Sequence, residues 1–238
     1  MRDWQLVKLA RATKLPRISR AMRFGIVAAV VLAAVGAWVL YGSSAFAVTE
    51  VLVKGTTFVE IDQIRQAAAV SKGTALAAVD TDEVAARVRG VAPVADATVS
   101  RDWPHTLVVE ITERTPYLAV PGDAGVGLVD SSGVAYRTVD EIPPGIWPVE
   151  LKTPGPQDAA TVGVLSVLSS LTDELRDELK SISAPAPTRI ELRLKGGRTI
   201  FWGDATDSAE KSEVATVLLA RSADHLDVSA PGVPTVRD

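Results

Sequence analysis

The sequence predicts an α+β fold held outside a membrane behind one N-terminal spanning helix. Three observations predict it. Positions 25–40 form an apolar run, and between Arg23 and Glu50 no side chain ionises except Tyr41. Residues 48–117 then alternate as strand, helix, helix, strand, strand, a βααββ unit. From position 118 onward, short alternating strands bounded by Gly and Pro are interleaved with helix-like segments, predicting a mixed α+β domain with a mainly antiparallel sheet.

The apolar run sets the topology. About 20 helical residues rise about 30 Å, the thickness of a bilayer's hydrocarbon core. A helix satisfies its own backbone hydrogen bonds where water is absent. Trp38 and Tyr41 lie near one end, where amphipathic rings favour the headgroup layer. Residues 24–47 are therefore expected to engage the lipid bilayer. Residues 1–23 carry Arg2, Lys8, Arg11, Lys14, Arg17, Arg20 and Arg23 against Asp3, a formal +6 in a chain of −4. Basic residues beside a span stay on the cytoplasmic side, so this tail is expected inside and residues 48–238 outside. Ala45-Phe46-Ala47 also has the form of a signal-peptide cleavage site. The apolar run is longer than a usual signal core, which favours an uncleaved anchor.

Composition narrows the chemistry. The chain has 238 residues, 47% of them hydrophobic and 23% charged, the balance of a folded protein. It has no cysteine, which excludes disulfides, thiolate catalysis and iron–sulfur clusters, and two histidines, too few for a multi-histidine metal centre. No cofactor or metal is expected. The acidic exterior argues against nucleic acid as a partner.

In chain order, residues 48–53 alternate like a strand and stop at Lys54-Gly55. Thr57-Phe58-Val59-Glu60 has the capping-box form before Ile61, Ile64, Ala67 and Ala68, which recur at helical spacing. Ser71-Lys72-Gly73 breaks that helix. A second begins near Asp80 or Thr81, buries Val84, Ala85 and Val88, and ends at Gly90. Strands are expected at 96–102 and 106–113, the latter with Leu107, Val109 and Ile111 on one face. Trp103-Pro104-His105 is the turn between them.

Farther on, strands are expected at 126–130 and 134–137 around Ser131-Ser132-Gly133, with a short one near 149–151. Residues 158–171 suit a buried helix and 173–179 an acidic, solvated one. Residues 183–188, with Pro185 and Pro187, are expected to be a connector. A hairpin at 189–202 turning through Lys195-Gly196-Gly197 would align Ile190 and Leu192 with Trp202 and Ile200 on one apolar face. A helix over 208–222 is expected to bury Val214, Val217 and Leu218, with Leu219 at the margin of that face, before a last strand at 225–230.

Catalytic motifs are sparse. Neither G-x-S-x-G, H-E-x-x-H nor a phosphate-binding loop occurs. Ser208-Ala209-Glu210-Lys211 spells S-x-x-K without the companion motifs of penicillin-binding proteins, and reads as a helix start capped by Asp207 or Ser208. His105 reads as a turn residue and His225 as a strand-entry residue.

The run from Pro93 to Pro116 resembles the POTRA signature of the FtsQ/DivIB family of bacterial division proteins. Arg101, Trp103, Pro104, Glu113, Arg114 and Pro116 carry the likeness. Leu128-Val129-Asp130, Gly133, Gly197, Trp202-Gly203, Lys211 and Leu226-Asp227-Val228 resemble that family's β domain, and the proline-rich loops resemble its actinobacterial branch. The resemblance implies a POTRA domain at 48–117 and a β domain at 118–238. It also implies a non-catalytic scaffold at the division septum that grips FtsB/DivIC- and FtsL-type partners and other divisome membrane proteins, and helps control septal peptidoglycan synthesis. Carried onto this chain, the partner-binding residues are Asp227, Val228, Ser229, Ala230, Gly232 and Val233, with Lys211 nearby. Pro231 and Pro234 depart from a continuous edge strand, since each removes a backbone donor. Two other classes stay open: a secretion or assembly module bearing a POTRA unit, and a membrane-anchored cell-wall enzyme.

Overall fold

The computed structural model describes residues 20–220 and 224–237. Most of the basic tail, residues 1–19, lies outside the described residues. Helix α1 (Arg20–Gly42) has no buried residue and is long and apolar enough to cross a membrane, which fits a single-pass membrane protein.

Strands β1 (Glu50–Lys54), β2 (Val94–Asp102) and β3 (Thr106–Glu113) pair in the order β1-β3-β2. Helices α2 (Ile61–Ala68) and α3 (Thr81–Arg89) fall between β1 and β2, giving the expected βααββ order. Val84, Ala85 and Val88 are buried on α3, and Leu107, Val109 and Ile111 on β3, as the spacing predicts. The capping box before α2 does not form. Glu60 sits at the cap position without a side-chain bond, and Ile61 is exposed. The carboxylate of Glu113 instead accepts the N–H groups of Thr57, Phe58 and Val59.

The described chain divides into two compact units. The first comprises the residues through Val51 with Val70–Asp80 and Arg101–Leu107; the second comprises Leu52–Ala69, Thr81–Ser100 and the residues from Val108 onward.

The second unit holds a nine-stranded mixed sheet. Its strands are β4 (Leu118–Gly122), β5 (Gly125–Val129), β6 (Ala135–Val139), β7 (Trp147–Glu150), β8 (Leu179–Ala186), β9 (Arg189–Leu194), β10 (Thr199–Gly203), β11 (His225–Asp227) and β12 (Thr235–Arg237). The order is β12-β11-β10-β9-β8-β7-β4-β5-β6, antiparallel except at β10/β11, β7/β8 and β4/β7. Helices α4 (Ala159–Ser170), α5 (Asp173–Glu178) and α6 (Ser208–Leu219) accompany it. Asp158 caps α4 by accepting from Thr161 N–H at 2.8 Å, and Val164, Val167 and Leu168 face inward at helical spacing. The main core gathers these with Ile182, Ile190, Leu192, Ile200, Trp202, Ala215, Leu226 and Val228.

Four expectations are corrected here. Residues 183–186 are not a connector: they continue β8, which pairs with both β7 and β9; Pro185 falls where the β9 register shifts and Pro187 lies in the turn that follows. In the hairpin, Ile200 does face Leu192, and Gly196 takes a positive φ of 81°. A bulge near Trp202 then sets Ile190 opposite Gly203 rather than Trp202. Helix α6 buries Ser208, Lys211, Ser212, Ala215 and Leu218, leaving Val217 73% exposed. Finally, the strand expected over 225–230 stops at Asp227, and the chain returns as β12 alongside it.

Candidate partner-binding edge

The predicted binding residues lie where β11 turns into β12. Asp227 organises this turn: its carboxylate accepts from Ser229 N–H at 3.0 Å and from the Ser229 hydroxyl at 2.7 Å, the Asx geometry that favours Asp in turns. Val233 N–H closes the next turn onto Ala230 O at 3.0 Å. Ser229, Ala230, Gly232 and Val233 are exposed, Val233 at 75%. Val228 differs. It is fully buried in the main core, and its N–H donates to Phe201 O at 3.0 Å, so its side chain is inside the fold and not on the surface.

Lys211 is likewise internal, only 1% exposed. Its Nζ donates to Asp204 O at 3.0 Å and to Asp204 Oδ1 at 3.1 Å. Hydrogen bonds from the Thr206 hydroxyl and then from Lys211 hold the Asp204 carboxyl down at about 2. The loop carrying Asp204 follows Gly203, whose φ of 79° only glycine adopts readily. A Cβ at Gly203 would also stand 2.9 Å from Ser229 Cβ. Gly203 thus lies against the start of the β11–β12 turn, and Lys211 fixes the loop that follows Gly203.

The S-x-x-K residues are committed to structure. The Ser208 hydroxyl donates to Ala205 O at 3.0 Å and accepts from Trp202 Nε1 at 3.1 Å, while Lys211 is held on Asp204. Asp207 is the residue before α6, with no side-chain cap bond.

On the outermost strand, Thr235, Val236 and Arg237 are all exposed, and among the described residues β12 pairs only with β11. Its free side therefore presents unpaired backbone groups. A hollow of about 210 Å³ opens across β9 to β12, lined by Glu191, Thr199, Phe201, His225, Asp227 and Arg237 among others. His225 Nδ1 and Thr199 Oγ1 are 2.6 Å apart at its rim. Strand β12, Arg237 and this hollow were missed from sequence; the alternation of Thr235-Val236-Arg237 was their only signal, and it is three residues long.

The POTRA-signature residues do structural work. Arg101 donates to Leu76 O at 3.0 Å and Val79 O at 2.6 Å. Trp103, joined to Pro104 by a cis peptide, packs edge-on against Phe46. Burial raises the Glu113 carboxyl, but the donors of Val59, Thr57 and Phe58 outweigh it and leave it below the ordinary range. Arg114 donates to Ala92 O and forms an ion pair with Asp130, whose own carboxylate accepts from Ser132 and Val134 N–H. Pro116 lines a groove of about 560 Å³ with Phe58, Glu113, Arg114, Tyr136 and Arg137. Among the described residues no acidic or histidine cluster could hold a metal ion.

Comparison with known proteins agrees with these two regions. Residues 46–114 match the FtsQ-type POTRA domain, and residues 119–232 match the C-terminal region of cell division protein FtsQ/DivIB. The chain is similar to cell division protein FtsQ of Mycobacteroides abscessus, 38% identical over 84% of this chain and 64% of that protein. It is 35% identical to the Mycobacterium tuberculosis protein of the same name, over 89% of this chain and 68% of the relative. The Streptomyces bingchenggensis protein of that name is 35% identical over 96% of this chain and 90% of its own length. By its two matched regions and its likeness along nearly its whole length, the chain belongs to the FtsQ/DivIB family of cell division proteins.

Proposed function

We propose that the chain is a non-catalytic, membrane-anchored scaffold that joins FtsB/DivIC- and FtsL-type partners at the division septum and so helps control septal peptidoglycan synthesis. In this reading residues 1–23 are cytoplasmic, 24–47 cross the bilayer, 48–117 are the POTRA domain and 118–238 the partner-gripping β domain. The observation that carries it is the exposed β12 edge with the Ser229–Val233 turn beside it. An extended segment of a partner can add to such an edge through main-chain bonds, with side chains supplying specificity. Asp227, Ser229, Ala230, Gly232 and Val233 keep their assigned role there; Val228 and Lys211 support the edge from inside.

The test is co-purification of detergent-solubilised chain with FtsB/FtsL-type partners. Ala230→Lys and Val233→Asp, both on exposed positions, should abolish capture while the thermal melt stays unchanged. Full capture by both variants would remove this edge from the account. Ser208→Ala separates the enzyme reading, because a scaffold carrying it should still complement growth.

A further inference from the structure

The Trp103 turn belongs to the first compact unit, together with the end of α1. Trp103 is 47% exposed, and its ring meets Phe46 edge-on, with centroids 5.7 Å apart and planes at 74°. Phe46 stands four residues beyond Gly42, where α1 ends, and the chain between them has no slack. The Ser43 hydroxyl donates back to Val39 O at 2.7 Å and accepts from Ala45 N–H at 3.3 Å. Ser44–Phe46 is a 3-10 turn.

The next residues are tied to both neighbouring loops. Val48 N–H donates to Thr74 O at 2.8 Å, and Thr49 N–H to His105 O at 3.0 Å. Arg101 clamps the carbonyls of Leu76 and Val79, and the 3-10 turn Leu76–Ala78 packs against α1.

Reach bounds where the indole can lie. Four extended residues span at most about 14 Å, and a 3-10 turn rises only about 2 Å per residue. The headgroup layer is itself roughly 5–8 Å deep on each side of the hydrocarbon core. A half-exposed indole held this close to the end of a span is within reach of that layer, where a ring is shielded and its N–H can stay wet.

We propose that Trp103, backed by Phe46, inserts into the headgroup layer of the bilayer that α1 crosses and seats the first unit on the lipid surface. This rests on α1 being an uncleaved span. The contact is aromatic, so it should persist at high salt, unlike attachment through surface charge.

The chain has no cysteine, so one introduced thiol takes a unique nitroxide. The experiment places the full chain in phosphatidylethanolamine/phosphatidylglycerol nanodiscs, labels it at Asp102→Cys, and compares accessibility to oxygen and to a nickel chelate. A second preparation labelled at Val31→Cys reports the span. The proposal expects headgroup depth at 102 at both low and high salt. Trp103→Ala should shift that oxygen-to-nickel ratio several-fold toward the aqueous value, and Trp103→Tyr should restore it, with unchanged circular dichroism for both. An aqueous reading at 102 beside a hydrocarbon reading at 31 overturns the proposal and leaves the span standing. Headgroup depth that survives Trp103→Ala also overturns it, since the linker alone would then seat the unit. An aqueous reading at 31 sinks the span and the proposal together.

Discussion

At position 113 one carboxylate accepts three consecutive backbone N–H groups, with contacts at 2.7–3.1 Å. A hydrogen bond to a charged group contributes about 1.5–3 kcal/mol. Glu113→Gln turns one acceptor into a donor facing donors and should destabilise by about that amount, read as a lower thermal midpoint. The sequence marked Glu113 only through resemblance, because its partners lie more than fifty residues upstream and local spacing pointed to Thr57 and Glu60. Acid sensitivity belongs to the same scale. The Asp204 carboxyl sits at about 2 against an ordinary 3.8. A depressed acid contributes stability above its unfolded value and loses it as pH falls through its folded one. The stability that Asp204 adds is therefore intact at neutral pH and fades from about 3.8 towards 2. Asp204→Asn should remove that part of the acid-melting curve. Lys211→Ala should cost about 2 kcal/mol or more, chiefly through the void left where its side chain is buried, since Asp204 remains half exposed.

Among elements, α6 shows what periodicity can and cannot decide. Val214, Ala215, Val217, Leu218 and Leu219 are apolar on nearly every side, so the sequence determined that a helix forms but not which way it turns. The structure sets its phase by burying Lys211 and Ser212, whose hydroxyl accepts from Thr172 N–H at 2.9 Å. Polar residues at an inner face are discounted by any hydrophobic reading, and that rotated the expected face onto Val217. Val217→Asp should change stability by no more than about 0.5 kcal/mol, as surface substitutions do. Ala215→Asp should be severely destabilising in the same denaturant titration, because it buries an unpaired charge. Strand β8 was hidden for another reason: Pro185 and Pro187 read as breakers, yet Pro185 falls at an irregular register where the ladder needs no donor. By contrast, α3 and β3 were legible because each has a single polar face, and α4 because its run is apolar almost throughout.

For the whole molecule, the order of span, βααββ unit and sheet-rich domain was readable from 238 residues, since a long apolar run and alternating strands are signals that do not depend on distant partners. The edge at β12 was not, because three residues carry too little pattern. The orientation reading predicts that a reporter fused at the carboxyl end works only outside the cytosol; activity confined to the cytosol would reverse the topology.

The tight junction between Val39 and Ala47 has a mechanical corollary. If α1 crosses the bilayer, the bonds across that junction let its azimuth set which flank of the rest of the first unit faces a neighbour moving in the same bilayer. One alanine inserted after Val39 would turn the unit by about 100° and four would bring it round to within about 40° of its starting bearing. Division should accordingly suffer more from the shorter insertion than from the longer one.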